Sequence, residues 1–294
     1  MKRNIIILFV TLLFTCSFNA QGESGSLKLF FIELKTIGDV EYPKYYTYDL
    51  ITKEKKHVNI NQLPSLGPPI ISENGKFFIY QYEEKDKRFI RLLDIENDKL
   101  LVNEQVPFSI IEKDFNKNYI VIGGNTGRYY YLLDILLVNI KTKEIKQITS
   151  NDVMDYNPVI LPGNDAIFYL QIKDTETYLK KYSFEEEEIK TVFTFEDTGY
   201  YLFQWLNSNK LLLTKKDKRG TPFILDLETF EITDFNLNGI SEIRISPDET
   251  KMAYLRKRDY LGLDLFVSDI DGNNLEKIPV DDNIDFVAPR WFVE

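Results

Sequence analysis

The chain has 294 residues, 44% of them hydrophobic and 14% aromatic, and its 36 basic and 46 acidic residues give a formal net charge of −10. This length allows one large domain or two small ones, with a substantial core that needs no disulfide or metal. The 14 Gly and 11 Pro are too few for a collagen-like or a Pro/Gly-rich disordered chain. The acidic balance argues against a nucleic-acid partner, because such binders gain affinity by neutralising phosphates.

The first twenty residues have the pattern of a secretory signal peptide. Lys2 and Arg3 precede an apolar run over residues 5–14, and Ala20 is a small residue suited to cleavage. The run is shorter than the about 20 residues that span a bilayer, and no later run reaches that length, so we expect no transmembrane segment. The predicted division of the chain is a signal peptide at 1–20, a polar leader at 21–27 and a single domain at 28–294.

The single cysteine, Cys16, lies inside this predicted signal peptide. Cleavage after Ala20 leaves a mature chain without cysteine and therefore without disulfides. Residues 13–16 loosely resemble a bacterial lipoprotein box, in which the cysteine is lipidated, although Phe14 and Thr15 fit that box poorly. The preferred prediction is export as a free protein to the periplasm or the extracellular space, and the alternative is a lipid anchor at Cys16.

One tract recurs along the chain: an apolar run, an Asp or its substitute, and a polar turn. The Asp-equivalent positions are 45, 45, 44, 43 and 43 residues apart. They are Asp49, Asp94, Asn139, Ser183, Asp226 and Asp269. A second apolar run follows each turn, which indicates a β-hairpin. A turn and a further β-rich run precede each of the last five tracts, so each unit holds four short strands, the spacing of a β-propeller blade.

The two ends of the chain complement each other within this repeat. Residues 287–292 have the pattern of a first blade strand with nothing after it, and residues 29–34 that of a second strand with nothing before it. Pairing them completes the first blade and removes two free sheet edges. We therefore predict an all-β fold: a six-bladed β-propeller of four-stranded antiparallel blades, closed by the C-terminal strand. The alternative is a large β-sandwich with evenly spaced turns.

The last unit resembles the repeat of the TolB-like β-propeller family. Residues 245–254 (Ile-Ser-Pro-Asp-Glu-Thr-Lys-Met-Ala-Tyr) and 264–272 (Asp-Leu-Phe-Val-Ser-Asp-Ile-Asp-Gly) follow its pattern closely, as do residues 288–291. The units around Asn116 and Asn207 match by spacing alone. TolB has a further N-terminal domain and prolyl-oligopeptidase relatives have a hydrolase domain, and we expect neither here. The resemblance thus implies a fold and not those activities.

Recognisable catalytic and metal-binding motifs are absent from the sequence, including a nucleophile elbow and a P-loop. The glycine-rich tract 123–127 is expected to be a loop, and the only histidine, His57, a surface residue of an outer strand. Residues 269–274 begin like a calcium loop, but the twelfth position is Val280, which has no ligating oxygen. We expect a hairpin turn with positive φ there. Accordingly, we predict no catalytic residues, no metal site and no cofactor.

One face of the predicted propeller combines charge with tyrosines. The basic runs 215–219 and 256–259 fall between second and third strands, and these loops share a face with the acidic connections between blades. Loops on a rigid scaffold often bind partners, with aromatic anchors. The alternative is that the charges are ordinary solvated loops and that some tyrosines pack between blades. The candidate binding residues are Tyr129, Tyr130, Tyr156, Lys215, Lys216, Lys218, Arg219, Arg256, Arg258 and Tyr260.

These observations predict a non-enzymatic binding or scaffold module of the periplasm or cell envelope. We expect a monomer whose partner is an envelope protein or a glycan. One alternative is a carbohydrate-active hydrolase or lyase that uses carboxylates in the central channel. The inner strands offer few acids, namely Glu112, Asp114, Glu242 and Asp285, and this scarcity favours binding. A second alternative is a structural protein of the envelope.

Overall fold

The computed structural model describes residues 26–37, 40–58, 69–72, 74–106, 109–125, 132–161, 163, 166–206, 209–215, 220–235, 237, 239–257, 262–279 and 285–293. The predicted signal peptide and most of the predicted leader lie outside these residues. Every regular element in the described part is a β-strand. No helix long and apolar enough to cross a bilayer occurs among the described residues.

The strands form six antiparallel sheets of four, each running from an inner strand to an outer strand. Blade 1 contains β24 (Asp285–Val293), β1 (Leu27–Ile37), β2 (Val40–Asp49) and β3 (Lys55–Val58). Blade 2 contains β4 (Ile70–Ile71), β5 (Phe77–Glu84), β6 (Lys87–Asp94) and β7 (Lys99–Val106). Blade 3 contains β8 (Ser109–Phe115), β9 (Tyr119–Asn125), β10 (Leu133–Asn139) and β11 (Ile145–Gln147).

The remaining three blades follow the same order from inner to outer strand. Blade 4 contains β12 (Met154–Ile160), β13 (Ala166–Lys173), β14 (Glu176–Ser183) and β15 (Ile189–Phe195). Blade 5 contains β16 (Tyr200–Leu206), β17 (Lys210–Lys215), β18 (Thr221–Asp226) and β19 (Ile232–Asp234). Blade 6 contains β20 (Ile240–Ile245), β21 (Lys251–Lys257), β22 (Leu263–Asp269) and β23 (Glu276–Lys277).

The six blades form a ring around a central channel, which confirms the predicted propeller and rules out the β-sandwich. Inner strands contact one another in ring order, from β8 through β12, β16 and β20 to β24 and β4. The C-terminal strand β24 pairs with β1 from Leu27↔Val293 to Leu34↔Asp285. The last strand of the chain therefore completes the first blade, as predicted from the two ends of the sequence.

In blades 1 to 5 the repeated Asp-equivalent residue caps the turn between the third and fourth strands. In blade 1 the backbone N–H groups of Ile51 and Thr52 both donate to Asp49 Oδ1 at 2.9 Å. Turn N–H groups donate equivalently to Asp94, Asn139, Ser183 and Asp226. The Thr52 bond is the main cause that lowers the pKa of Asp49 to about 2. A short side-chain acceptor at this position fixes the turn, which explains the repeat.

Each of these turns also holds a residue in the left-handed region. In blades 1 to 5 it lies four positions after the cap, at Lys53 (φ 59°), Asp98 (46°), Lys143 (66°), Glu187 (53°) and Phe230 (58°). In blade 6, Gly272 (φ 85°) and Asn274 (52°) confirm the turn predicted at 269–274. A non-glycine residue pays about 1–2 kcal/mol in this region. The turn hydrogen bonds and the packing of the blades offset that cost.

The core lies between neighbouring blades. Phe30 of β1 and Phe78 of β5 are fully buried, with ring centroids 5.1 Å apart. Phe168 of β13 stacks on Trp205 of β16 at 5.5 Å. Apolar side chains on both faces of each sheet therefore hold the ring together, at roughly 25 cal/mol per Å² of apolar surface removed from water.

One expectation about local structure is wrong. The glycine-rich tract was expected to be a loop, but Gly123 and Gly124 lie inside β9. They pair with Glu112 and Ile110 of β8 across a register shift in the ladder. The backbone of the inner strand bulges here, and glycine suits such a site because it has no side chain to obstruct the neighbouring backbone.

Candidate functional site

The inner strands depart from a regular ladder in five of the six blades. The register between inner and second strand shifts at the inner-strand positions Ile110/Glu112, Tyr156/Val159, Leu202/Gln204 and Ile240/Glu242. In blade 1 it shifts at Phe30/Ile32 of β1, which pair with Arg290 and Val287 of the inner strand β24. A β-bulge redirects the side chains that follow it, and bulges are frequent beside functional sites. The inner strands are therefore where polar side chains can be directed away from the apolar faces between blades.

Some of these polar side chains bind the backbone of the next blade. The Ile160 N–H donates to Asp114 Oδ2 at 3.1 Å. Gln204 accepts from the Ile245 N–H at 2.9 Å and donates to its carbonyl oxygen at 2.8 Å. Each inner strand is the edge of its sheet, so these bonds satisfy backbone groups that the ladder leaves unpaired. They also link successive inner strands around the ring.

Charged side chains from opposite sides of the ring form a group that we call the channel cluster. Arg244 of blade 6 and Arg290 of blade 1 each lie 2.9 Å from Glu242 Oε1. Lys113 and Asp114 come from blade 3, opposite blade 6. Desolvation lowers the pKa of Lys113 to about 8 and raises that of Asp114, and the charge of Arg290 lowers both pKa values. The charge of Arg290 therefore acts on Lys113 and Asp114 from the other side of the channel.

The channel cluster is deep in the molecule but retains access to water. The side chains of Arg244, Arg290 and Glu242 are 11%, 20% and 21% exposed. Lys113 and Asp114 are half-buried, and desolvation is also the main cause that lowers the pKa of Arg244. Protein surrounds these groups on most sides, as expected along a narrow channel. Their mutual interactions are stronger there than on an open surface.

A second group, the tyrosine cluster, forms around Tyr200 where blades 4 and 5 meet. The Tyr156 hydroxyl donates to the Tyr200 carbonyl oxygen at 2.8 Å. Lys215 Nζ lies 5.4 Å from the centre of the Tyr200 ring and 2.6 Å from Asp197 Oδ2. Tyr201 lies edge-on to Tyr156, with ring centroids 6.4 Å apart. Aromatic and charged side chains of two successive blades therefore converge here.

Three of the ten predicted binding residues lie in the described part of the chain. Tyr156 is 3% exposed and packs between blades. Lys215 is the last residue of β17, and Arg256 is an exposed residue of β21 opposite Asp264, so both are strand residues beside the predicted loops. The other seven, Tyr129, Tyr130, Lys216, Lys218, Arg219, Arg258 and Tyr260, lie outside the described residues. The binding role of the set stays a prediction.

The remaining residues singled out from the sequence divide in the same way. His57 is exposed, as predicted, and lies edge-on to Tyr46 with ring centroids 5.4 Å apart. Asp114 and Glu242 lie in the channel cluster, whereas the side chains of Glu112 and Asp285 are outside the described part. Among the described residues, no group of three or more His, Cys, Asp or Glu side chains is arranged to hold a metal ion.

Sequence reasoning missed the basic members of the channel cluster. Arg244 stands between Ile243 and Ile245, and a charge flanked by apolar residues in a predicted inner strand is a usable signal. Glu242 lies two positions earlier and hence on the same side of the strand. The contribution of Lys113 was not readable, because its neighbours in space come from blades far along the chain.

Comparisons with known proteins identify the fold. No protein-family model matches the sequence, and no curated protein does. TolB from Acinetobacter baumannii superposes with a TM-score of 0.71 at 15% identity, covering 92% of this chain and 67% of TolB. Hydrazine synthase from Kuenenia stuttgartiensis gives 0.70 at 10% identity, covering 91% and 47%. An oligogalacturonate lyase in complex with manganese gives 0.56 at 14% identity, covering 80% and 70%.

These similarities confirm a TolB-like six-bladed propeller fold. The chain spans less than half of the hydrazine synthase chain and 31% of a tricorn protease chain that also matches. The proteins that share the fold are named for unrelated activities, so the fold by itself does not choose among them.

Proposed function

We propose that the protein is a non-enzymatic binding module of the periplasm or cell envelope. It recognises an envelope protein or a glycan through its loop face, the face made by the loops between second and third strands and by the connections between blades. The tyrosine cluster is the observation that supports this proposal. Side chains of blade 4, blade 5 and the connection between them converge on Tyr200, and such a rigid array supplies both anchors and charge.

The electrostatics of the tyrosine cluster suit a reversible contact. Lys215 and Asp197 are 39% and 53% exposed in their side chains. Their hydrogen bond raises the pKa of Lys215 and lowers that of Asp197, so both are charged at neutral pH. An exposed pair of this kind contributes only about 0–1 kcal/mol to stability. Exchanging it for contacts with a partner therefore costs the fold little, while the charges steer association.

A carbohydrate-active hydrolase or lyase is the second candidate, because Asp114 and Glu242 do lie in the channel and an oligogalacturonate lyase shares the fold. The environment of both carboxylates weighs against it. Glu242 bridges two guanidinium groups, and Asp114 accepts a backbone N–H. A catalytic pair needs one carboxyl group available to give or take a proton near the reacting bond. Here both carboxylates hold the channel wall together.

The test of the binding proposal compares two surface variants of the full chain. In the loop-face variant, Ser replaces Lys215, Lys216, Lys218 and Arg219. In the control, Ser replaces the acidic residues 185–188 on the hairpin face, the opposite face that carries the turns between third and fourth strands. A partner is captured from native envelope extract, purified, and titrated against each variant at several salt concentrations.

We expect the loop-face variant to associate more slowly and with a flatter salt dependence, since exposed charges are screened over about 8 Å at physiological salt. The control keeps the partner, and both variants keep the free energy of unfolding within about 0.5 kcal/mol. A partner lost by the control and kept by the loop-face variant contradicts the proposal. Release of unsaturated sugar ends from oligogalacturonates, abolished by Asp114→Asn, supports the lyase instead.

A further inference from the structure

A pocket of about 200 Å³ opens on the hairpin face, where the hairpins of blades 3 and 4 meet. One wall of this pocket is aromatic. The centroid of the Phe184 ring lies 5.0 Å from that of Tyr119 and 5.8 Å from that of Tyr182. Tyr182 is buried, whereas Tyr119 of blade 3 and Phe184 of blade 4 are half-buried. Parts of both rings are therefore open to a ligand in the pocket.

Charged side chains line the same pocket. Lys146 Nζ lies 2.6 Å from Glu187 Oε1 and 5.6 Å from the centre of the Tyr182 ring. The hydrogen bond with Glu187 is the main cause that raises the pKa of Lys146, so this ammonium is charged at neutral pH. The exposed Glu144 adds a carboxylate on the side of blade 3. Donors and acceptors of hydrogen bonds thus lie beside the aromatic wall.

The hairpin turn does not require this aromatic wall. Phe184 follows the Asp-equivalent Ser183. At the same position the other blades have an aliphatic residue: Leu50, Ile95, Ile140, Leu227 and Ile270. Tyr119 pairs with the Asp-equivalent Asn139, whereas three other blades pair this position with a lysine. Since the other blades form their hairpins without the ring at position 184, we looked to ligand binding for its role.

We propose that this pocket binds a neutral hexose. A pyranose ring has an apolar C–H face and a rim of hydroxyl groups, and the pocket combines aromatic rings with polar groups in the matching way. The rings of Tyr119 and Phe184 pack on the C–H face. Lys146 donates hydrogen bonds to hydroxyl groups of the sugar and Glu144 accepts them. A mainly aromatic lining with a few convergent polar groups is typical of small-molecule sites.

The size and place of the pocket define the ligand further. Its volume is below the roughly 300–1,000 Å³ of pockets for drug-sized ligands, which limits the ligand to about one ring. A ligand of that size is expected to bind with a dissociation constant in the millimolar range. The pocket lies on the opposite face from the loops and does not depend on the function proposed for the loop face.

The experiment titrates the full chain, labelled with ¹⁵N, with glucose, galactose and mannose and follows the amide chemical shifts. We expect saturable shifts with at least one hexose, confined to amides around the pocket. Phe184→Leu introduces an aliphatic residue of the kind found in the other blades, and we expect several-fold weaker binding from the loss of one aromatic contact. The matched control is Phe230→Leu, which removes an exposed ring from a turn of blade 5 and leaves binding unchanged.

A second variant tests the polar side of the pocket at an exposed position, where substitution disturbs the fold little. Glu144→Ala removes a carboxylate, and we expect about tenfold weaker binding, the effect of one charge-assisted hydrogen bond. The matched control is Glu54→Ala. Glu54 occupies the equivalent position in blade 1, since the backbone carbonyl groups of Glu54 and Glu144 accept from the N–H groups of Asp49 and Asn139. This control leaves binding unchanged.

Three results would overturn the proposal: no saturable shift with any of the hexoses at tens of millimolar, shifts confined to the loop face, or a folded Glu144→Ala variant that binds as tightly as the native chain. The loop-face variant is expected to keep the hexose. The variant with Ser at residues 185–188 replaces Glu187, the ion-pair partner of Lys146, and is expected to weaken the hexose while it keeps the loop-face partner. Failure of one proposal is therefore distinguishable from failure of the other.

Discussion

The hairpin face and the central channel are built in opposite ways. In the hairpins, one short polar cap and one left-handed residue recur from blade to blade, and the bonds they make are local. In the channel, the polar residues differ from blade to blade, and their bonds join neighbouring blades. Residues that recur at the same position in successive blades build the blades. Residues that differ between blades at equivalent positions are available for binding.

Removing the closing strand should have the largest effect, because it acts on every blade at once. Deletion of residues 286–294 exposes the edge of β1 and removes the buried side chains of Trp291 and Phe292. We expect aggregation, or a loss of cooperative unfolding in thermal denaturation followed by circular dichroism. An unchanged melting temperature and elution volume would show that β24 does not close the ring.

Alanine at Gly75 tests how tightly the closing strand packs against the next blade. Gly75 has φ +69°, and an added Cβ would lie 2.6 Å from Phe292 Cδ2. The control is Gly272→Ala in a hairpin turn, where φ is +85° and nothing lies within 4 Å of the added Cβ. We expect roughly 3 kcal/mol of destabilisation for Gly75→Ala and about 1 kcal/mol for the control in urea unfolding. Equal losses would mean that Phe292 is not a close neighbour.

The pH dependence of stability tests whether Lys113 of the channel cluster is desolvated. The pKa of Lys113 falls from 10.5 to about 8 on folding, so the unfolded chain binds more protons between pH 8 and 10.5. Stability contributed by this group therefore rises with pH across that window, by at most about 3 kcal/mol and less where water reaches the channel.

The comparison with Lys113→Met isolates this effect from other titrating groups. The charge of Arg290, which lowers the pKa of Lys113, is the same in both proteins. We expect the free energy of unfolding of the native chain, minus that of the variant, to increase between pH 8 and 10.5. A constant or falling difference contradicts a desolvated lysine in the channel.

The smallest effect is expected for a single hairpin cap. Asp226→Ala removes the acceptor for the Glu228 and Thr229 N–H groups and should cost about 1 kcal/mol in urea unfolding. Asp226→Asn keeps an acceptor oxygen and should recover most of that loss, as the native Asn139 does in blade 3. If alanine and asparagine are equally destabilising, the repeated residue does not act by capping the turn.

Local chemistry explains how much of this fold could be predicted. Turn caps, turn residues and strand patterns lie within a few positions of one another, so the repeat and the split first blade were readable from the sequence. The direction of the side chains in the inner strands was not readable from the sequence. The register shift between Tyr156 and Val159 redirects the strand, and a one-residue shift exchanges the two faces. Tyr156 consequently packs between blades, and the charge of Arg290 acts on Lys113 from the other side of the ring.

Capture of a partner from native envelope extract by the native chain, the loop-face variant and the control variant at residues 185–188 tests most directly whether the loop face binds. We predict that the native chain and the control bind the partner alike, and that the loop-face variant associates more slowly and with a flatter salt dependence. A partner lost by the control and kept by the loop-face variant would contradict this division between blade-building and binding positions.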